Sequence, residues 1–388
     1  MRLIRGETPP VPASQSFSVR LDRTAGGVFA QVWFLTRGCT WDRAGACTMC
    51  NYGHESAVAS EGMVESVRLA LESIPGPVDE LLVSPSGNML DPVEVPDAAR
   101  RAIYRHMASF RAPKLCVETR AETVTVELVE ELANAFPGRG VAVEVGLESS
   151  SPWVQHYCIN KSITQESFCA ATSVLTAHGM RSYANVSLGA AFLSDAEAVE
   201  DACRSVRWAL LNGADLAVVF PMHVKPRTLL AWLHHRGLYH SPSLWSLVEV
   251  LNGLEPESLP RVNISWYRCD YGSSEAPLRS PTTCPRCQGR MLTLLDRYRA
   301  EPSQSTLCEL NSEECECKEV WRQQIAVVPS PALPDRVLHH YECLAHYFGL
   351  SEWWTAHGEE IRASALQDYP TLSCSGTRRS DVELLEPR

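Results

Sequence analysis

Six times in succession, a short apolar run is followed by a longer segment with apolar residues at helical spacing, and this alternation limits the possible folds more than any other feature. The runs GGVFAQVWFLT, DELLVS, KLCVET, VAVEVGL, RSYANVSLGA and DLAVVF each precede a helical segment: EGMVESVRLALESI, VPDAARRAIYRHMASF, TVELVEELANAF, TQESFCAATSVLTAHG, SDAEAVEDACRSVRWALLNG and RTLLAWLHHRG. Strand-then-helix units with short joins form a parallel sheet with right-handed crossovers, so the predicted fold is α/β, a partial (β/α)6 TIM-like barrel. Thr164, with Glu166 in the first turn, and Ser194 precede two of the helices as plausible caps. SPSLWSLVEVLNGL reads as a further helix and RVNISWYRC as a last strand. In such a fold the ligand site is built from loops leaving the carboxyl ends of the strands.

The boundaries follow from where the alternation starts and stops. Residues 1–24 read as an N-terminal extension, 25–268 as the barrel core, 269–325 as a small cysteine-rich extension, and 326–388 as linker, terminal helix and tail. PSPALPDR reads as an extended linker, VLHHYECLAHYFGL as a terminal helix, and the last fifteen or so residues as loose. At 388 residues and 45% hydrophobic, the chain can bury one large core. No apolar stretch is long enough for a membrane span and MRLIRGETPPVPASQSFS lacks a secretory segment, so the expected location is cytoplasmic, with no membrane partner. Fifteen cysteines in such a chain then point to metal or catalysis rather than disulfides. A net charge of −11 without a Lys/Arg-rich run disfavours nucleic acid and favours a small-molecule substrate.

The loop after the first predicted strand, TRGCTWDRAGACTMCNYG, places Cys39, Cys47 and Cys50 where no core needs them. Three thiolates can converge on one centre, and thiolates select zinc or iron-sulfur clusters. A structural zinc takes four protein ligands, so it would need a distant residue to complete the set; three ligands instead leave one iron of a cubane open.

With the β/α array behind it, this loop resembles the radical SAM superfamily, and its long first gap resembles the Elp3-like branch that includes the archaeosine synthase radical subunit. SPSGNMLDPVEVP, VETRAETVT, GLESSS, the stretch from NGADLAVVFPMHVKP to SLWSLVEVL, and CECKEVW extend the similarity over roughly residues 25 to 325. The resemblance implies a 4Fe-4S cluster on Cys39, Cys47 and Cys50, and S-adenosylmethionine (SAM) bound at the open iron and cleaved to methionine and a 5′-deoxyadenosyl radical. It also implies an external electron donor such as flavodoxin or ferredoxin. Ser86, Gly87 and Asn88 fall at the family's glycine-rich second-strand loop, without its usual acidic third residue. Glu118, Arg120 and Glu148 fall where the family contacts the methionine and ribose portions, and Tyr52 near the adenine.

Each position also has a structural reading. Ser86-Gly87-Asn88 is ordinary turn chemistry; Glu118, Arg120 and Glu148 can form an ion-pair layer; His223 reads as a polar strand-end residue; and Cys116, Cys158, Cys169 and Cys203 sit in apolar patterns as packed thiols. A second cysteine group follows, Cys269, Cys284 and Cys287, then Cys308, Cys315 and Cys317. It suits a second 4Fe-4S cluster or a structural zinc. The favoured expectation is a second cluster on Cys269, Cys284 and Cys287, with Cys317 as fourth ligand, facing the barrel mouth as sulfur donor or substrate anchor. The function expected from sequence is a radical SAM enzyme acting on a small molecule, a nucleoside-like one among the options, in specialised metabolism. The alternatives are a transfer-RNA base lyase like the archaeosine synthase radical subunit, which cleaves a lysine adduct on a deazaguanine base, and a non-catalytic metal-binding scaffold.

Overall fold

The structure is a computed structural model that describes residues 16–45, 47–53, 58–85, 87–161, 163–268 and 276–369. Its centre is an eight-stranded sheet whose strands lie in chain order: β1 Phe17–Thr24, β2 Gly27–Phe34, β3 Glu80–Pro85, β4 Lys114–Thr119, β5 Gly140–Glu148, β6 Arg181–Leu188, β7 Leu216–Pro221 and β8 Val262–Ile264. β1 pairs antiparallel with β2, and every later neighbour pair is parallel. The sheet curls into a partial barrel, because Phe29 of β2 and Val218 of β7 meet inside it with Leu82, Cys116, Ala142 and Tyr183.

Helices cover the outer face. After α1 Thr40–Arg43, a short turn in the loop leaving β2, they are α2 Ser60–Glu72, α3 Asp97–Ser109, α4 Val126–Ala135, α5 Gln165–Ala177, α6 Asp195–Leu211, α7 Leu229–His234 and α8 Leu244–Asn252. The two expected caps form as capping boxes: Thr164 with Ser167 opens α5, and Ser194 with Glu197 opens α6. Alternate strand residues such as Val32, Val83, Val117, Val143, Val186 and Val219 point outward into the main core beneath these helices.

Three features depart from the sequence reading. First, part of the N-terminal extension is a strand: β1 joins β2 through a tight hairpin in which Gly27, at φ +110°, lies so close to Asp79 that a Cβ would sit 2.1 Å from its Oδ2. β1 carries Arg20, Asp22 and Arg23 and is only half-buried, so its alternation is weak in the sequence. Second, the stretch read as a small cysteine-rich extension shares the barrel's core. Its helices α9 Gln288–Ala300, α10 Gln304–Ser312 and α11 Glu316–Ile325 bury Met291, Leu295, Tyr298, Leu307, Leu310 and Trp321 in the same core as the barrel helices. α9 touches both β1 and β8 and so lines the seam between the two edge strands, with Arg299 paired to Asp22 at 2.7 Å. Third, a second helix follows the expected terminal one: after α12 Leu333–Tyr347 comes α13 Ser351–Asp368. The chain divides at Val337, and residues 338–388 form a second unit. The loose tail expected at the C-terminus lies outside the described residues. No described helix is long and apolar enough to cross a membrane.

Candidate active site

The three-cysteine loop leaves the carboxyl end of β2 and is pinned on several sides. Gly38, at φ +86°, lets the chain pass so close to Tyr52 that a Cβ would lie 3.1 Å from its carbonyl oxygen; the same carbonyl accepts the Cys39 amide at 3.3 Å. Asp42, fully buried, accepts the Gly53 amide at 2.5 Å and closes the loop from within. Thr48 gives its amide to Ile159 O and its hydroxyl to Cys158 O, and accepts the Leu230 amide. Trp41 reaches Asn160 O, so the loop is tied to the π-helical turn Val154–Ile159 that follows β5. A loop held this way keeps its thiols in place without a core of its own.

Cys39 and Cys47 are buried and Cys50 is half-buried, with Cys50 lining the barrel cavity. Burial, with the Glu94 carboxylate behind it, pushes the Cys39 thiol up to about 11. The Cys47–Cys50 hydrogen bond splits that pair, favouring the thiol at Cys47 and the thiolate at Cys50. Cations surround the group. The Arg120 guanidinium donates to Cys39 Sγ at 3.6 Å and to Thr40 Oγ1 at 3.2 Å, Lys161 acts on Cys47, and Lys225 acts on Cys50. Such a setting favours thiolates over thiols once a metal replaces their protons.

The second-strand loop carries what the sequence reading missed. Ser86 lies outside the described residues, but Gly87 and Asn88 do not. A Cβ on Gly87 would fall 2.1 Å from Glu94 Oε1, so Glu94 folds back over that glycine. Glu94 is fully buried; Thr36 donates to its Oε1 at 3.0 Å, and its Oε2 has no hydrogen-bond partner among the described residues. Burial pushes this carboxyl up to about 8. Beside it, Asn88 Oδ1 accepts from the Leu90 amide at 3.3 Å and from Thr119, which leaves Asn88 Nδ2 a buried donor without a partner among the described residues. One orphan acceptor and one orphan donor in the same loop are what an amino-acid end, with its ammonium and carboxylate, would satisfy.

The barrel interior is a cavity of about 320 Å³ that runs the length of the strands, from Glu80, Lys114 and Arg181 at their starts to Cys50, Tyr52, Glu148 and Lys225 at their ends. Its size suits a small molecule or a single nucleoside. Glu118 and Glu144 face into it, bridged by Asn185 Nδ2 at 3.4 and 3.3 Å, and Ser84 donates to Glu118 at 2.5 Å. Burial raises both carboxyls; the Glu118 charge raises Glu144 further, and the Glu148 charge raises Glu118. Glu148, in the left-handed region at φ +67°, pairs with buried Lys161 at 2.8 Å. Tyr52 faces Lys225, whose Nζ lies 3.9 Å from its ring centre and 5.1 Å from that of Trp266. His223, on the cavity wall, is buried between Ser280 and the Trp266 carbonyl, and burial lowers it to about 4. Among the expected contacts, Arg120 thus stands at the cysteine loop and gives its amide to Asn88 Oδ1, while Glu118 points into the cavity.

The later cysteines lie elsewhere. Cys269 is outside the described residues. Cys284 and Cys287 gather with Cys315 and Cys317, all four sulfurs within 4.8 Å of one another; Cys308 is exposed and apart from that group. None of the four lines the barrel cavity, so the expected position facing its mouth is not what the structure has.

No family model matches the chain. Proteins described as archaeosine synthase subunit beta from Methanosarcina acetivorans and Thermococcus kodakarensis are each 29% identical to it. The alignments cover 76% and 77% of this chain and 84% and 93% of those proteins. Both relatives are subunits of the kind that the cysteine loop and its flanking motifs resemble. The partial barrel of this chain carries the three-cysteine loop at the carboxyl end of the strands. Among solved structures, Elp3 from Methanocaldococcus infernus is similar at 16% identity and a TM-score of 0.47, covering 69% of this chain and 65% of that one. A queuine lyase from Clostridium spiroforme bound to SAM and queuine is similar at 18% identity and a TM-score of 0.40, covering 53% of this chain and 79% of that one.

Proposed function

We propose that the chain is a radical SAM enzyme that holds a 4Fe-4S cluster on Cys39, Cys47 and Cys50, and that it modifies a deazaguanine-type base of transfer RNA as the radical-generating subunit of a two-part assembly. The observation that carries the substrate is the pair of relatives named as a subunit of archaeosine synthase, aligned over most of their own length. It reverses the order reached from charge alone, which put a free small molecule first and nucleic acid last. A net charge of −11 still fits, because a partner subunit can supply the phosphate-binding surface.

The residues present suit the cofactors. When bound, the reduced cluster and SAM would supply a 5′-deoxyadenosyl radical that removes a hydrogen atom from the substrate. This chain's own part is to bind and orient. Glu94 Oε2 would accept from the ammonium of the methionyl group and Asn88 Nδ2 would donate to its carboxylate, in the loop where both groups are orphaned among the described residues. Arg120, Lys161 and Lys225 offset the thiolate charge. Inside the cavity, Glu118, Glu144 and Asn185 offer acceptors and donors to the polar edge of a base, with Trp33 and Trp266 as flat walls. A free nucleoside-like molecule is the second reading, favoured by the acidic surface and by a cavity sized for one nucleoside.

Two measurements test this. Anaerobically reconstituted enzyme should release 5′-deoxyadenosine under reduction, and alanine at Cys39, Cys47 and Cys50 together should abolish it; undiminished release would reject the cluster assignment. Transfer RNA bearing the modified base, supplied with the partner subunit, should be turned over while the free nucleoside is not. Turnover of the nucleoside alone would put the second reading first.

A further inference from the structure

We propose that Cys284, Cys287, Cys315 and Cys317 bind one zinc ion in a closed tetrathiolate site that fixes the seam of the barrel. The argument is the spacing of the sulfurs. Zinc at about 2.3 Å from each of four tetrahedral thiolates sets neighbouring sulfurs about 3.8 Å apart. Here Cys284 and Cys287 are 3.7 Å apart, Cys284 and Cys315 3.5 Å, and Cys287 and Cys317 3.5 Å. These separations are far beyond a disulfide bond, and all four cysteines are free. They are also too short for a cubane, which binds each thiolate at a different iron, on the outer corners of a cluster already several ångströms across. Among the described residues no other group of histidine, cysteine or acidic donors gathers so closely, the SAM-loop cysteines included.

The chain builds this site from two helix starts. Cys287 is the N-cap of α9 and Cys315 that of α11, so C-x-x-C and C-x-C each turn two thiols toward one point. The Gln288 amide donates to Cys284 O at 3.0 Å and the Lys318 amide to Cys315 O at 2.9 Å, which hold the two knuckles. A further layer of donors is in place: Trp245 Nε1 points at Cys317 Sγ at 3.3 Å, and Arg286 Nη2 at Cys315 Sγ at 3.7 Å. Four protein ligands leave zinc no open position, and the site stands outside the cavity, so it neither donates sulfur nor anchors substrate. Its mechanical role follows from α9, which runs from the metal to the seam between β1 and β8.

The test uses the full-length chain with Cys39, Cys47 and Cys50 all changed to alanine, purified anaerobically without added metal. About one zinc per chain and no acid-labile sulfide is the expected result. Iron with sulfide in that variant would overturn the proposal in favour of an auxiliary cluster; a single iron without sulfide, or no metal, would equally overturn it. Cys315→Ser should lose the zinc while keeping the iron of the SAM loop, and zinc retained in both Cys315→Ser and Cys284→Ser would reject the ligand set. Because such variants can misfold, cobalt exchanged into the wild-type chain gives an independent readout: tetrahedral tetrathiolate absorption supports the site, and an octahedral spectrum rejects it.

Discussion

At the residue scale, Glu94 holds the most consequential side chain that sequence spacing does not reveal. It lies seven residues past Gly87 and reaches back to it only because that position lacks a Cβ. Gly87→Ala would therefore push the carboxylate away and should weaken SAM binding by tenfold or more, roughly the value of one charge-assisted hydrogen bond. Isothermal titration with SAM under anaerobic conditions checks this. Glu94→Gln separates charge from shape. Its carboxyl is raised on folding to about 8, so the unfolded chain gives up the proton first, and stability falls as pH rises from the ordinary carboxylate range toward 8. The variant removes that dependence. It should gain on the order of 1–2 kcal/mol over wild type near pH 8 and little near pH 5, while binding SAM more weakly. Denaturant titrations at the two pH values give the first comparison, and a variant that binds SAM as tightly as wild type would remove Glu94 from the site.

At the element scale, α9 links the metal knuckles to the barrel seam. Leu295 is fully buried on it, in the core shared with the barrel helices, so Leu295→Ala should cost about 2–5 kcal/mol and lower the unfolding midpoint of the whole first unit. Val320→Ala, on the exposed face of α11, should change stability by less than about 0.5 kcal/mol. If Leu295→Ala left the main urea transition unchanged and only added an early one, the cysteine-rich helices would be an independent module, as their composition alone suggests. The sequence conceals this packing because the apolar residues of α9 are spaced among Arg290, Asp296, Arg297 and Arg299, and two of those charges are themselves used inward: Arg299 on Asp22 and Asp296 on Tyr267. β1 is concealed for a similar reason, since an edge strand needs only one apolar face.

For the molecule as a whole, charge and relatives point different ways, and the difference is measurable. A surface of −11 should bind transfer RNA weakly by itself, with a shallow dependence on salt, and should gain affinity and a steep salt slope only when the partner subunit is added. Tight, salt-sensitive binding by the isolated chain would place the RNA surface here instead. The alternation of runs by itself determined the parallel sheet and the end at which the site must lie, because strand and helix periods are local and crossovers between parallel strands are right-handed. It also put Cys39, Cys47 and Cys50 in one loop at that end, since all three follow the first run of the alternation. Only the tertiary structure decided that Cys315 joins Cys284, Cys287 and Cys317, that Glu94 stands against Gly87, and that Glu118 meets Glu144 across Asn185. In each case the partners come from separate elements, and which side chains converge depends on how whole helices and strands pack, information that no local pattern carries.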